Sequence, residues 1–187
     1  MRVLAAVAFT LFLSHAALGQ HQALTVDPNA SEVRMTLKTN HDIVNGTFHV
    51  QSGSIDFDRT SQQITGIVTV GAGTGKTGND SRDKKMNKDI LKVDRYAIVT
   101  FVPQAFTGTL APKGDSTIQV RGAFTLLGIP HDVTIPMQVH IDGTRATATA
   151  QFIVPYVQWG LKNPSFLMWK ADNDVAINLT LNGQISN

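Results

Sequence analysis

Apolar and polar positions alternate along most of the chain with a period of two, the signature of strands with one dry and one wet face. "SEVRMTLK" sets Val33, Met35 and Leu37 against Glu32, Arg34, Thr36 and Lys38. "TFHV" and "IDF" add Phe48 and Val50, then Ile55 and Phe57, across a Ser-Gly interruption at which Gly53 predicts a bulge or bend. "ITGIVTV", "AIVTFV" (with Phe101) and "QAFTGTL" follow. "STIQVRGAFTLL" brings Ile118, Val120, Phe124 and Leu126 into phase, and "HDVTIPMQVHI" does the same for Val133, Ile135, Met137, Val139 and Ile141. "RATATAQFIV" alternates Ala146, Ala148, Ala150 and Phe152 with threonine and glutamine. "DVAINLTLNG" closes with Val175, Ile177, Leu179 and Leu181. This is the rhythm of an antiparallel sandwich or barrel of about eight or nine strands. Pro136 lacks a backbone N–H, so its strand is expected to be an edge or locally bulged.

One segment departs from the rhythm. In "NDSRDKKMNKDILKVDRY" Met86 and Ile90 stand four apart, Asp83 suits a first helical turn, and Asp80 or Ser81 suits a cap. The spacing predicts one short helix over about 82–90.

The N-terminus has a different character. Arg2, an apolar run and the small-residue site Ala17-Leu18-Gly19 read as a cleaved export signal over 1–19. The expected mature chain, 20–187, suits a single domain. Without Arg2, 15 of the 16 Lys and Arg residues remain against 14 Asp and Glu, so charge gives no reason to expect a nucleic-acid partner. The chain has no cysteine. Disulfides and a lipoprotein anchor are excluded, and an exported Cys-free chain fits a periplasm best.

Candidate chemistry is thin. "VGAGTGKTGND" resembles a phosphate-binding loop, but position 70, where the opening glycine belongs, is Val70, and Gly71 leaves the loop one residue short. Of His21, His41, His49, His131 and His140, none forms a ligand pair at H-x-H or H-x-x-x-H spacing, so no metal and no cofactor are expected. No nucleophile elbow occurs, and the carboxylates lie mostly in turn sequences, so a catalytic role is assigned to no residue.

The size pattern is more informative. Strands with one apolar and one polar face build a barrel that is oily inside and wet outside, and eight strands enclose either a filled core or one small ligand. The small side chains Ala146, Ala148 and Ala150 leave room unless large neighbours such as Phe48 or Phe124 fill it. "NPSFLMWK" puts Phe166 to Trp169 in one apolar run, read either as a lip or membrane-touching loop at a cavity mouth or as a strand start tucked over the barrel end. A membrane-spanning barrel is disfavoured by the polar outer faces, 7% aromatic residues and the terminal "ISN".

Ordered motifs carry a family resemblance. Thr77-Gly78-Asn79, Arg82-Asp83, Asp89-Ile90, Tyr96 and Phe101 resemble a block of the YceI-like family. "GAFTLLGIPHDVTIP", "WGL" from Trp159, and Asn40-His41 ahead of Gly46-Thr47-Phe48 resemble its other elements, in order, through nearly all of 24–183. Two positions depart: Lys85 stands where the family has histidine, and Ala97 where it has proline. The resemblance implies an all-β, extended eight-stranded antiparallel lipocalin-like barrel. It implies a periplasmic protein holding a polyisoprenoid or other long amphiphile, with Lys76 a solvated loop charge. The lumen is then expected to be lined by Val33, Met35, Leu37, Phe48, Val50, Phe101, Ile118, Val120, Phe124, Leu126, Val133, Ile135, Ala148, Phe152, Ile177 and Leu179, and its mouth by His41, Arg82, Asp83, Trp159, Phe166 and Trp169. Arg82 and Asp83 have an alternative role in pairing with nearby turns and capping the helix. An enzyme acting on such a lipid, or a filled barrel with a protein partner, are the competing readings. A homodimer and transient membrane contact stay open.

Overall fold

The computed structural model describes residues 21–186, so the expected signal segment 1–19 lies outside the described residues. Ten strands run β1 (His21–Val26), β2 (Glu32–Lys38), β3 (Ile43–Phe48), β4 (Val50–Asp58), β5 (Gln63–Gly71), β6 (Ile98–Thr107), β7 (Gly114–Leu126), β8 (Ile129–Asp142), β9 (Arg145–Val154) and β10 (Val175–Ser186). They form one antiparallel sheet, which closes where β10 meets β1. The ring has eight members. β1 and β2 are two halves of one strand, broken by a 3-10 turn at Pro28–Ala30, and both pair with β10. β3 and β4 are likewise one strand, interrupted at His49. An all-β barrel of eight antiparallel strands with one short helix is the fold the alternation and the family resemblance together implied.

The strands form where the alternation is cleanest, because each can bury one face and solvate the other. Val33 and Leu179 lie opposite one another across β2 and β10, as do Met35 and Ile177, and all four face inward. Two irregularities preserve this phase. In β6 the register shifts between Pro103 and Ala105, and the extra residue turns Phe101, Pro103 and Phe106 all inward. The segments "AIVTFV" and "QAFTGTL" are therefore one bulged strand. In β4 the shift falls between Val50 and Ser52, ahead of the expected site at Gly53. β1 is an addition to the sequence reading; only Leu24 and Val26 carry its apolar phase, too few to register as a pattern.

Pro136 marks a boundary. β8 pairs with β7 from Ile129 to Ile141, but its pairing with β9 begins only at Met137. Its first half is an edge, as the missing N–H requires. Gly122 falls in the inward phase of β7, where a Cβ would meet the backbone of Val102 and lie 2.8 Å from the Phe101 ring. The Phe101 ring needs that room.

Candidate functional site

The two ends of the barrel differ. At one end the strands are joined by short connections after β4, β6 and β8, and Phe57, Ile64, Phe106, Leu110 and Ile185 are all buried there. At the other, two long connections, 72–97 and 155–174, arch over the opening. Between them lies a cavity of about 460 Å³, walled by inward side chains of every strand of the ring.

Helix α1 (Asp80–Lys85) runs into a single π-helical turn, Met86–Ile90. Its cap is Asn79, whose Oδ1 accepts the Arg82 N–H at 3.0 Å, one residue ahead of the expected Asp80 or Ser81. Asn79 wins because its extended backbone aims the side chain at the free amide three residues on. The glycine-rich segment before the helix does not form an anion cradle. The Lys76 amide donates to Thr47 O at 2.9 Å, and the Thr77 amide donates to Asp83 Oδ1 at 2.9 Å. Gly75 lies against Phe48 and Met86, with no space for a Cβ. Lys76 is solvent-exposed, its Nζ 4.0 Å from Asp83. The segment is a packed strand-to-helix connection, with the amides of Gly71, Ala72, Lys76 and Thr77 donated within the protein.

Asp83 is buried beneath this connection. The Thr77 hydroxyl and amide donate to its carboxylate, and with Lys76 and Arg82 nearby they hold its pKa below the ordinary carboxylate value despite burial. The Arg82 guanidinium donates to the Thr77 hydroxyl and carbonyl, each at 2.8 Å. Asp83 therefore lies off the cavity wall, while Arg82 lies on it but is engaged with Thr77.

Most of the expected lining residues reach the cavity. Val33, Met35, Leu37 and Phe48 do so from β2 and β3, and Phe101 from β6. Ile118, Val120, Phe124 and Leu126 come from β7, Ile135 from β8, Ala148 and Phe152 from β9, Ile177 and Leu179 from β10. Val50 is buried but off the wall, and Val133 is half-buried on the edge half of β8, also off it. At the mouth, Trp169 reaches the cavity, whereas His41 and Phe166 sit outside it. The His41 ring lies against Trp169, with centroids 4.3 Å apart. Trp159 stacks on His131 at 4.1 Å and packs beside Phe124, off the cavity wall.

Other lining residues were not singled out by sequence reasoning. Lys85, at the family's histidine position, and Lys170 both line the mouth, as do Thr39 and Asp42 from the turn bonded to the Lys170 segment. The only charged side chains on the cavity wall, among the described residues, are Asp42, Arg82, Lys85 and Lys170. Tyr156 is also on the wall; its hydroxyl donates to Asp172 O at 2.6 Å, and burial, then Asp172 and Asp174, push its pKa up to about 12. No group of three or more His, Cys, Asp or Glu side chains is placed to hold a metal among the described residues.

The fold recurs in solved structures. A polyisoprenoid binding domain from Saccharophagus degradans implicated in plant cell wall breakdown is 15% identical, with a TM-score of 0.67 over 87% of this chain and 98% of that one. BcnA of Burkholderia cenocepacia is 20% identical, with a TM-score of 0.68 over 87% and 99%. A YCEI protein of Campylobacter jejuni is 18% identical, with a TM-score of 0.59 over 77% and 86%. At these identities the likeness is one of fold. No curated protein matches the chain. The YceI-like domain profile matches residues 24–183, the whole ring of strands apart from the outermost residues of β1 and β10, and the chain belongs to the YceI-like family.

Proposed function

We propose that the protein is an exported, periplasmic binding and carrier protein that holds one long-chain amphiphile, of the polyisoprenoid kind, with its tail in the barrel and its head at the mouth. The observation that carries this reading is the cavity of about 460 Å³ with an almost wholly apolar wall. At about 30 Å³ per carbon, close to the volume share of one water, it takes roughly 15 chain carbons, or about three isoprene units. Burying those carbons at about 0.8 kcal/mol each is worth about 12 kcal/mol gross. Immobilising the chain offsets part of that. Support for an isoprenoid comes from the relative described as polyisoprenoid-binding. Support for export comes from the signal-like sequence at 1–19.

We favour carriage over catalysis because, among the described residues, the deep lumen offers no acid–base pair. The charged wall residues, Asp42, Arg82, Lys85 and Lys170, belong to the mouth elements. Selectivity then rests on the head group, since methylene contacts discriminate weakly.

Native mass spectrometry of protein purified from its own host tests the reading. A co-purifying mass matching a prenyl or acyl lipid is expected. A bare mass that also takes up no added farnesyl or longer prenyl compound refutes it.

A further inference from the structure

The exposed apolar surface of this protein is not scattered. Ten large hydrophobic side chains are exposed among the described residues. Eight of them, Ile43, Ile98, Ile129, Ile153 and the run Phe166–Trp169, sit at strand ends or in the connection at the open end. The run is the extreme case: Phe166 is 66% exposed, Leu167 77%, Met168 80% and Trp169 52%.

The backbone under this run is built to present it. Phe166 and Trp169 exchange two backbone hydrogen bonds, of 3.0 and 2.9 Å, closing a tight hairpin with Leu167 and Met168 at its tip. Leu167 has φ of 51°, a left-handed conformation that glycine or asparagine adopts more readily. Asn40, in the turn after β2, fixes the hairpin from the side. Its Nδ2 donates to Met168 O, its Oδ1 accepts the Lys170 amide, and its own amide donates to Lys170 O, each at 2.9 Å. The backbone groups at the base of the hairpin, those of Phe166, Trp169 and Lys170, and the Met168 carbonyl are thus paired inside the protein, which lowers the cost of bringing the tip against hydrocarbon. The apolar side chains are left facing outward.

Cations frame the tip. Lys162 and Lys170 flank it in sequence, and Lys85 Nζ lies 6.0 Å from the centre of the Phe166 ring. Among the described residues none of the three ammonium groups has an ion-pair partner. Apolar side chains flanked by lysines match the boundary between acyl chains and anionic headgroups.

We infer that the hairpin Phe166–Trp169 docks the open end of the barrel onto an anionic lipid bilayer, inserting Leu167 and Met168 and resting Lys85, Lys162 and Lys170 on the headgroups. Trp169 and Lys170 line the cavity mouth as well, so docking faces the lumen toward the membrane. The purpose of this docking rests on the carrier reading; the docking itself rests on the hairpin.

The test uses the mature chain with phosphatidylethanolamine vesicles containing phosphatidylglycerol, and with pure phosphatidylcholine vesicles, read by co-sedimentation and by tryptophan emission. The expected result is salt-sensitive binding to the anionic vesicles, with a blue shift from Trp169. A Leu167→Ser, Met168→Ser double variant is expected to bind on the order of 100-fold more weakly, because two side chains no longer enter the acyl region. Lys85→Gln is expected to weaken binding about fivefold. Uptake of a farnesyl compound in vesicle-free solution should be unchanged in the double variant, which shows that it is folded. The inference is overturned if the wild type binds neither vesicle, if the double variant binds as the wild type does, or if the double variant instead dissolves a wild-type dimer. Loss of farnesyl uptake by the wild type, with vesicle binding intact, would sink the carrier reading and leave the docking standing.

Discussion

Filling the deep end of the lumen should shorten the chain the protein can hold. Ala146 and Ala148 are 5% and 6% exposed, both line the cavity, and they face Ile141 and Val139 across the β8–β9 ladder. Replacing both by leucine adds six carbons, about 180 Å³ at about 30 Å³ each. Set against a cavity of about 460 Å³, that removes room for about six of the roughly 15 chain carbons. At about 0.8 kcal/mol per methylene a farnesyl tail loses about 5 kcal/mol, over a thousandfold in affinity, if its end cannot relocate. A geranyl tail, with about ten carbons, loses about one methylene and therefore only a few-fold.

The assay is calorimetric or fluorescence titration of farnesyl and geranyl compounds with the same head group. Chemical denaturation serves as the control for folding. Filling an apolar void gains up to about 4 kcal/mol at about 24 cal/mol per Å³, and overpacking offsets about 1–3 kcal/mol of it, so stability should not fall. A double variant that stays folded and binds both tails as the wild type does would show that the tail does not lie in the lumen.

Three further outcomes follow from the same geometry. Lys85→Gln with Lys170→Gln should weaken binding of a prenyl diphosphate about tenfold and leave the matching prenyl alcohol unchanged, read in the same titration, because exposed charge contacts are worth about 1 kcal/mol or less each. Gly122→Ala should destabilise the barrel by about 1–3 kcal/mol in urea unfolding, since the new methyl meets the backbone of Val102 and the Phe101 ring. Asp83 has a folded pKa below its unfolded value, so its contribution is present above the ordinary carboxylate range and is lost as pH falls through that range toward the folded value. Urea midpoints should therefore drop below about pH 4, and Asp83→Asn should flatten that slope; an unchanged slope would refute the assignment.

The fold was legible wherever a strand separates water from oil. β2, β8 and β10 alternate cleanly because their outer faces carry Thr, Gln, Asn and charge. β6 reads as two segments because the bulge after Pro103 breaks the period that reveals it. The lumen wall was readable from the same alternation, and the alanines of β9 were a fair sign of space. The mouth was not. Asn40 meets Met168 and Lys170 across about 130 residues of sequence, and no local period encodes such a contact. Family motif positions pointed instead to Arg82 and Asp83, whose side chains hold the strand-to-helix connection together through Thr77. Of the two roles the sequence left open for them, head-group contact and pairing with nearby turns, the structure has the second, with partners five and six positions away.

That displacement of roles has a consequence for how such a barrel discriminates. With Arg82 bonded twice to Thr77 and Asp83 buried, the cations left to meet a head group are Lys85 and Lys170. Lys85 belongs to α1 and Lys170 to the hairpin after Trp169, so the two sides of the mouth come from the two long connections. The strands fix the depth of the lumen, and the connections fix the charge at its rim. The closed end leaves a tail one direction of entry. On the carrier reading, the head of a chain that fills the lumen is expected beside those two lysines. That reading assigns tail length and head charge to different residues, so substitutions in β9 and substitutions at the rim should combine additively in binding free energy.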